Sequence, residues 1–329
     1  MTAMPPPSSP RPRPRRSPRG PGPSRRAHPG GARPAGRRPA RRGARGLLRH
    51  PLAIVLVAFL VTILIGLLIL RLGGGGAAQS TTGTHTEPDP VVPDPSGFTA
   101  ATLIDDEVFY NSQAMTLAEV RDFVSRVNNG CMPGLDGTPC LAQAVFDVEA
   151  HEATAYCAKE LEQAAGISAA EVIWAVSQAC GINPQVLLVL IHKEQGLLTA
   201  SGEALTARDY EAAAGYACPD GTECDPQWAG FPNQLYGAAS QFQRYRQEPG
   251  EYDVVAQVPT RVAYAPQAQC GGSELTVTNQ ATAGLYNYTP FQPNEAAAEG
   301  GDACTAWGNW NFYGYFQTFF GDPAPSRAS

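Results

Sequence analysis

The spacing of apolar positions changes along the chain, and each change marks a different kind of segment. Residues 1–50 carry almost no large apolar side chain, so nothing there buries enough surface to offset the entropy of ordering; a disordered tail is expected. Leu52 to Leu70 is then nineteen residues without a charge, interrupted in polarity only by Thr62. As a helix it spans about 28 Å, close to the hydrocarbon thickness of a bilayer, and residues 51–72 are expected to cross a membrane once. Residues 73–98 run from glycine into Pro88, Pro90, Pro93 and Pro95, a linker whose coil reaches roughly 28 Å. Beyond it, in residues 99–321, helical spacing dominates, and 322–329 read as a second disordered tail.

Within 99–321 the helix signals are specific. Thr116-Leu-Ala-Glu119 and Ser168-Ala-Ala-Glu171 are capping boxes followed by apolar residues at helical intervals. The second helix should stop at Cys180-Gly181, and Asn183-Pro184 then supplies an N-cap with proline in the first turn of the next. A further helix is expected from about Pro232 to Gln247, with Leu235, Ala239 and Phe242 inward. Short alternating strands are expected around Arg261–Ala265 and Glu274–Asn279. Aromatic helical stretches near Ala281–Tyr288 and Asn309–Phe320 close the region. The whole predicts a mainly α domain with a small β element.

Charge alters that picture by separating two regions of opposite sign. Residues 1–50 hold fourteen arginines and no acid, whereas nine basic residues face thirty acids after residue 72, a net of −21. Arginines precede the apolar span and only Arg71 follows it closely, which places residues 1–50 in the cytoplasm and the folded domain outside. No aromatic residue interleaves the tail arginines, so base stacking has no platform and nucleic acid is not an expected partner. Attraction to anionic lipid explains the tail more simply. Ala58, Thr62 and Gly66 form a small-residue stripe that would let two spanning helices pack.

All eight cysteines lie in the acidic part, between Cys131 and Cys304, as expected for disulfides in an exported domain. Sequence leaves the connectivity open. Neighbour pairing is one scheme: Cys131–Cys140 and Cys218–Cys224 would close Gly/Pro loops, with Cys157–Cys180 and Cys270–Cys304 completing the set. No Cys-x-x-Cys occurs, His151-Glu152 lacks a second histidine, and there is no Gly-x-Ser-x-Gly elbow. Neither metal, nor cofactor, nor a nucleophilic triad is expected.

Chemistry concentrates in Gly181-Ile-Asn-Pro-Gln-Val-Leu-Leu-Val-Leu-Ile-His-Lys-Glu-Gln-Gly196. Leu187, Leu190, Ile191 and Glu194 share one helical face, which puts a carboxyl after an apolar stripe and in the last turn. Burial and the helix dipole there both disfavour its charge, as a general acid requires. The competing reading is a solvated Glu194, or one paired with Lys193.

Gly-Ile-Asn-Pro-x-x-Leu-Leu-x-x-Ile-x-x-Glu-x-Gly resembles the catalytic helix of the lysozyme-like superfamily, above all lytic transglycosylases and goose-type lysozymes. The resemblance implies a lysozyme-like α+β fold, peptidoglycan or another cell-wall glycan as partner, and Glu194 as general acid. Asp220, Glu223 and Asp225 would be candidates for a second carboxylate. Gly215-Tyr216 and Asn233-Gln234 would stand where the family has a Gly-rich turn and a following helix, although its Met-Gln is missing and Gln195 replaces its usual serine. Leu285-Tyr-Asn-Tyr288 echoes its Tyr-Asn-Ala-Gly. Tyr216, Gln234, Tyr286 and Asn287 are thereby candidate substrate-binding residues. The stretch from Phe109-Tyr-Asn111 through Trp310-Asn-Phe312 to Phe320-Gly321 also resembles exported hemagglutinin-like domains of high-GC Gram-positive bacteria, which carry no established mechanism. A noncatalytic wall-binding or adhesion module on the same fold is the alternative these residues allow. The aromatic cluster Tyr286, Tyr288, Phe291, Trp307, Trp310, Tyr313 and Tyr315 serves either a core or a sugar-stacking surface.

Overall fold

Two capping boxes organise the first half of the domain as the sequence predicts. In the computed structural model, which describes residues 87–88, 90–219 and 223–328, Glu119 Oε2 accepts from Thr116 N at 2.7 Å and Glu171 Oε2 from Ser168 N at 2.8 Å. They start α2 (Leu117–Val127) and α3 (Ala169–Cys180), which follow the single turn α1 (Asp106–Phe109). Gly181 ends α3 at φ +66°, and Asn183 caps α4 (Pro184–Gln195) by accepting from Gln185 N at 2.8 Å. The amide of Asn183 also donates to Val108 O, tying the start of α4 to α1. After the short α5 (Ala207–Glu211) comes α6 (Phe231–Gln247), with Leu235, Ala239 and Phe242 fully buried. The closing helices are α7 (Gln280–Tyr288) and α8 (Gly308–Phe320).

Helix α4 runs through the middle, packed between α3 and α8, while α6 bridges α3 and α7. Every residue from Val186 to His192 is buried, so the single inner face expected from Leu187, Leu190 and Ile191 is instead apolar all round. Partners on both sides explain it: a helix wrapped by neighbours has no solvent face to mark.

Two antiparallel two-stranded sheets complete the described residues. The expected hairpin is β3 (Thr260–Ala263) against β4 (Gly272–Leu275), in the register Thr260 to Leu275. Its second strand begins earlier than Glu274 and ends at Leu275 rather than Asn279. The other sheet, β1 (Val145–Val148) with β2 (Ala164–Ser168), has no counterpart in the sequence expectations. Ala-Ala-Gly in β2 offers little β-propensity. The strand is held instead by its partner and by Asp147 Oδ1, which accepts from Gly166 N at 2.9 Å beside a register irregularity.

Both ends of the domain are drawn more generously than composition suggests. Residues placed in the linker up to 98 dock on α8: Asp94 N donates to Gly314 O at 3.1 Å, Thr318 Oγ1 donates to Val92 O, and Tyr313 Oη donates to Ser96 O. Pro93 fills the space that a Cβ on Gly314 would take, 2.6 Å away. The residues read as a disordered tail after 321 are also engaged. Arg327 donates to Gly97 O at 2.7 Å and to Tyr313 Oη at 3.0 Å, and buried Asp105 accepts from Ser326 N and Oγ. Proline-rich and small polar stretches look unstructured in sequence, but hydrogen bonds made to their backbone carbonyls need no particular side chain.

Disulfides join Cys131 to Cys140, Cys157 to Cys180, Cys218 to Cys224 and Cys270 to Cys304, the neighbour scheme, and no described cysteine is free. Four such bonds mark an oxidising, extracellular domain. The chain divides into units 1–79 and 80–329, and the described residues all lie in the second. The expected arginine-rich tail, the spanning helix with its Ala58, Thr62 and Gly66 stripe, and Asp220 fall outside the described residues. Among those described, no helix is long and apolar enough to cross a membrane.

Candidate functional site

Helix α4 ends at Gly196, in the left-handed region at φ +66°, and its last turn delivers Lys193 and Glu194 to a cleft of about 590 Å³. Lys193 suits that end of the helix dipole and Glu194 does not. The two side chains form an ion pair in which the lysine is only 5% exposed and the glutamate 24%. Lys193 Nζ also donates to Thr289 Oγ1 at 3.1 Å. Glu194 is therefore paired, the competing expectation, rather than an isolated carboxyl.

A tight turn closes over the carboxylate. Gly215 sits at φ +71°, where glycine carries no penalty, and a Cβ there would lie 3.2 Å from Cδ and Oε2 of Glu194. Ala217, two residues on, holds a strained left-handed φ of +51°. The turn is fixed from three directions. Tyr288 Oη donates to Ala214 O at 2.7 Å, Gln195 Nε2 donates to Ala212 O at 3.1 Å, and the Cys218–Cys224 bond closes its far side. Gln234 holds it as well: its Oε1 accepts from Ala214 N at 3.2 Å and Tyr216 N at 3.1 Å while Nε2 donates to Tyr216 O and Trp228 O. Burial, and secondarily the charge of Glu194, pushes the Tyr288 hydroxyl well above its ordinary pKa, so it remains a donor.

Aromatic rings also line the cleft. Phe291 and Trp307 line the cleft with Gly308 and Asn311 at the start of α8, and Trp307 remains 37% exposed. Arg208 adds a cation at the rim, paired with Glu211 at 2.9 Å.

The structure brings some predicted residues to this cleft and not others. Glu194 lines it. Tyr216 flanks Gly215 but lies edge-on to Trp228, over α6 where Gly237 leaves room for its ring. Gln234 is fully buried beneath the turn, Tyr286 is fully buried in the core, and Asn287 exchanges two hydrogen bonds with the backbone of Val254. Glu223 lines a separate hollow with Arg208 and Glu211, and Asp225 accepts from Gln227 N. Among the described residues lining the cleft, Glu194 is the single carboxylate. Of the aromatic cluster, Tyr288, Phe291 and Trp307 reach it, and Tyr313 serves the docked N-terminal segment instead.

Lys193, Thr289 and Gly215 matter more than sequence reasoning credits. Lys193 carries a readable signal, a lysine flanked by an apolar helix and a glutamate. Thr289 carries none, because its place beside Lys193 depends on where α7 stops. Among the described residues no cluster of His, Cys, Asp or Glu could hold a metal ion. Comparisons with protein-family models, curated proteins and solved structures find no match to this chain.

Proposed function

We propose that this domain cleaves a cell-wall glycan, with Glu194 transferring the proton, on the outer face of a membrane that residues 51–72 anchor it to. The observation supporting the reading is that Glu194 stands as the single described carboxylate in a cleft walled by aromatic rings. Retaining and inverting hydrolysis each need a second carboxyl, roughly 5–5.5 Å or 6.5–9.5 Å away. A lytic route does not: one glutamate protonates the glycosidic oxygen and then takes a proton from a sugar hydroxyl that closes onto the anomeric carbon. The chain's resemblance to lytic transglycosylases, not the fold, supplies that chemistry. Lys193 holds the Glu194 side chain at the cleft, and Trp307 offers a ring for a sugar to stack on.

A noncatalytic glycan-binding module is the second reading, and the Lys193–Glu194 pair favours it, because a paired carboxylate is a poor acid at rest. Glu194→Gln in the full-length chain separates the two. General acid catalysis is worth ~10²–10⁴ in rate, so release of soluble fragments from purified walls should fall by that factor with wall binding retained. A wild-type chain that releases nothing yet binds walls as well as the Gln variant would leave only the binding module.

A further inference from the structure

We infer that Gln234 is a positioning residue for Glu194: an amide buried on α6 that holds the Gly215 turn at its distance from the carboxylate. The inference rests on Glu194 being the reacting group and adds what sets its geometry. A fully buried amide is costly unless every polar atom is satisfied, and this one is satisfied almost entirely by a single turn. Its oxygen accepts from the residues immediately before and after Gly215, and its nitrogen returns a bond to Tyr216 O and another to Trp228 O, both at 2.7 Å. The neighbouring Asn233 makes the contrast plain, since its amide donates to Ala229 O one turn back, at 3.3 Å, and meets the His151 side chain rather than the turn.

Nothing soft intervenes between the turn and the carboxylate. Gly215 lies so close to Glu194 that a single added carbon would press on Cδ and Oε2 at 3.2 Å. A shift of the turn thus becomes a shift of Glu194, or opens a gap beside it that water fills. Misplacing a reacting group by about 1 Å costs on the order of 10²-fold in rate.

The test uses the full-length chain with Gln234→Met, which keeps length and deletes all five bonds, that to Cys218 Sγ included, and Gln234→Glu, which keeps the acceptor oxygen and loses both N–H donors. Purified wall glycan is the probe for turnover and for binding. Gln234→Met should lower kcat by about 30- to 100-fold with wall affinity within about twofold, and should speed amide exchange at Ala214 and Tyr216. Gln234→Glu, which sets an oxygen against the carbonyls of Tyr216 and Trp228, should fall at least as far. A residue serving stability alone would lower the thermal midpoint and leave turnover per folded molecule unchanged; that result, in either variant that folds, overturns the inference. Should the wild type not turn over, the glycan-cleaving reading fails by itself, and the pin is judged without activity. The NMR contact between Gly215 Hα and the Glu194 side chain, which the close approach of that turn requires, should be lost in Gln234→Met, and its persistence with unchanged amide exchange at Ala214 and Tyr216 refutes the pin.

Discussion

The two walls of the cleft are built on opposite plans. On one side the Gly215 turn has its backbone groups taken up by Gln234, Tyr288 and Gln195, sits within contact of Glu194, and is tied by the Cys218–Cys224 bond. On the other, α8 starts after Trp307 without a side-chain cap, and Trp307 keeps more than a third of its surface in water. One wall spends its hydrogen bonds on fixing a position. The other leaves surface to be covered, which is where a sugar ring would gain most from stacking. Rigidity and contact are thus divided between elements far apart in sequence.

Substitutions on each wall should therefore fail differently. Gly215→Ala places a Cβ against Glu194 and strains a left-handed residue at a cost of roughly 1–2 kcal/mol. We expect kcat on wall glycan to fall by about 10²-fold with binding nearly unchanged, and a weakened affinity at constant kcat would reverse the roles assigned to the walls. His192 links the two sides from behind, packed edge-on against Tyr315 and Phe319 of α8. Burial holds its pKa down to about 4 from the ordinary 6.5. The folded state then binds the proton less readily than the unfolded one, so stability is complete above pH 6.5 and declines as pH falls toward 4. Between pH 7.5 and 5 the loss amounts to about 2 kcal/mol. Urea midpoints should show it, and His192→Phe should flatten that part of the curve; an equally steep decline in the variant would assign the effect elsewhere.

The smallest effect is expected on the open wall. Trp307→Ala should weaken glycan binding about tenfold, or ~1.4 kcal/mol, and leave kcat at saturation alone. Titration of wall fragments against both proteins measures this directly, and a loss confined to kcat would place Trp307 with the fixed wall.

Local signals carried the helices well and the site only in part. Thr116 with Glu119, Ser168 with Glu171, and Gly181 followed by Asn183-Pro184 each specify a helix end through bonds made within a few residues, so they can be read without knowing the fold. Glu194 stands out because a carboxyl on the face of Leu187, Leu190 and Ile191 breaks an apolar stripe. The β1–β2 pair was invisible, since Ala164–Ser168 pairs only because residues some twenty positions earlier lie beside it. Gln234 and Asn287 are substrate-binding candidates only through the resemblance; the backbone partners they have here, in the Gly215 turn and at Val254, are atoms that no side-chain pattern announces.

The segment docked along α8 also has a mechanical meaning. Val92, Asp94 and Ser96 are fastened to Gly314, Thr318, Tyr313 and Gln317, in the body of the helix whose first residues wall the cleft. Just before them, Glu87, Pro88 and Pro90 lie beside Gln195 and Gly196 at the end of α4. One stretch of chain thus leans on both helices that supply the cleft, α4 with Glu194 and α8 with Asn311, and a displacement of it would be felt at both.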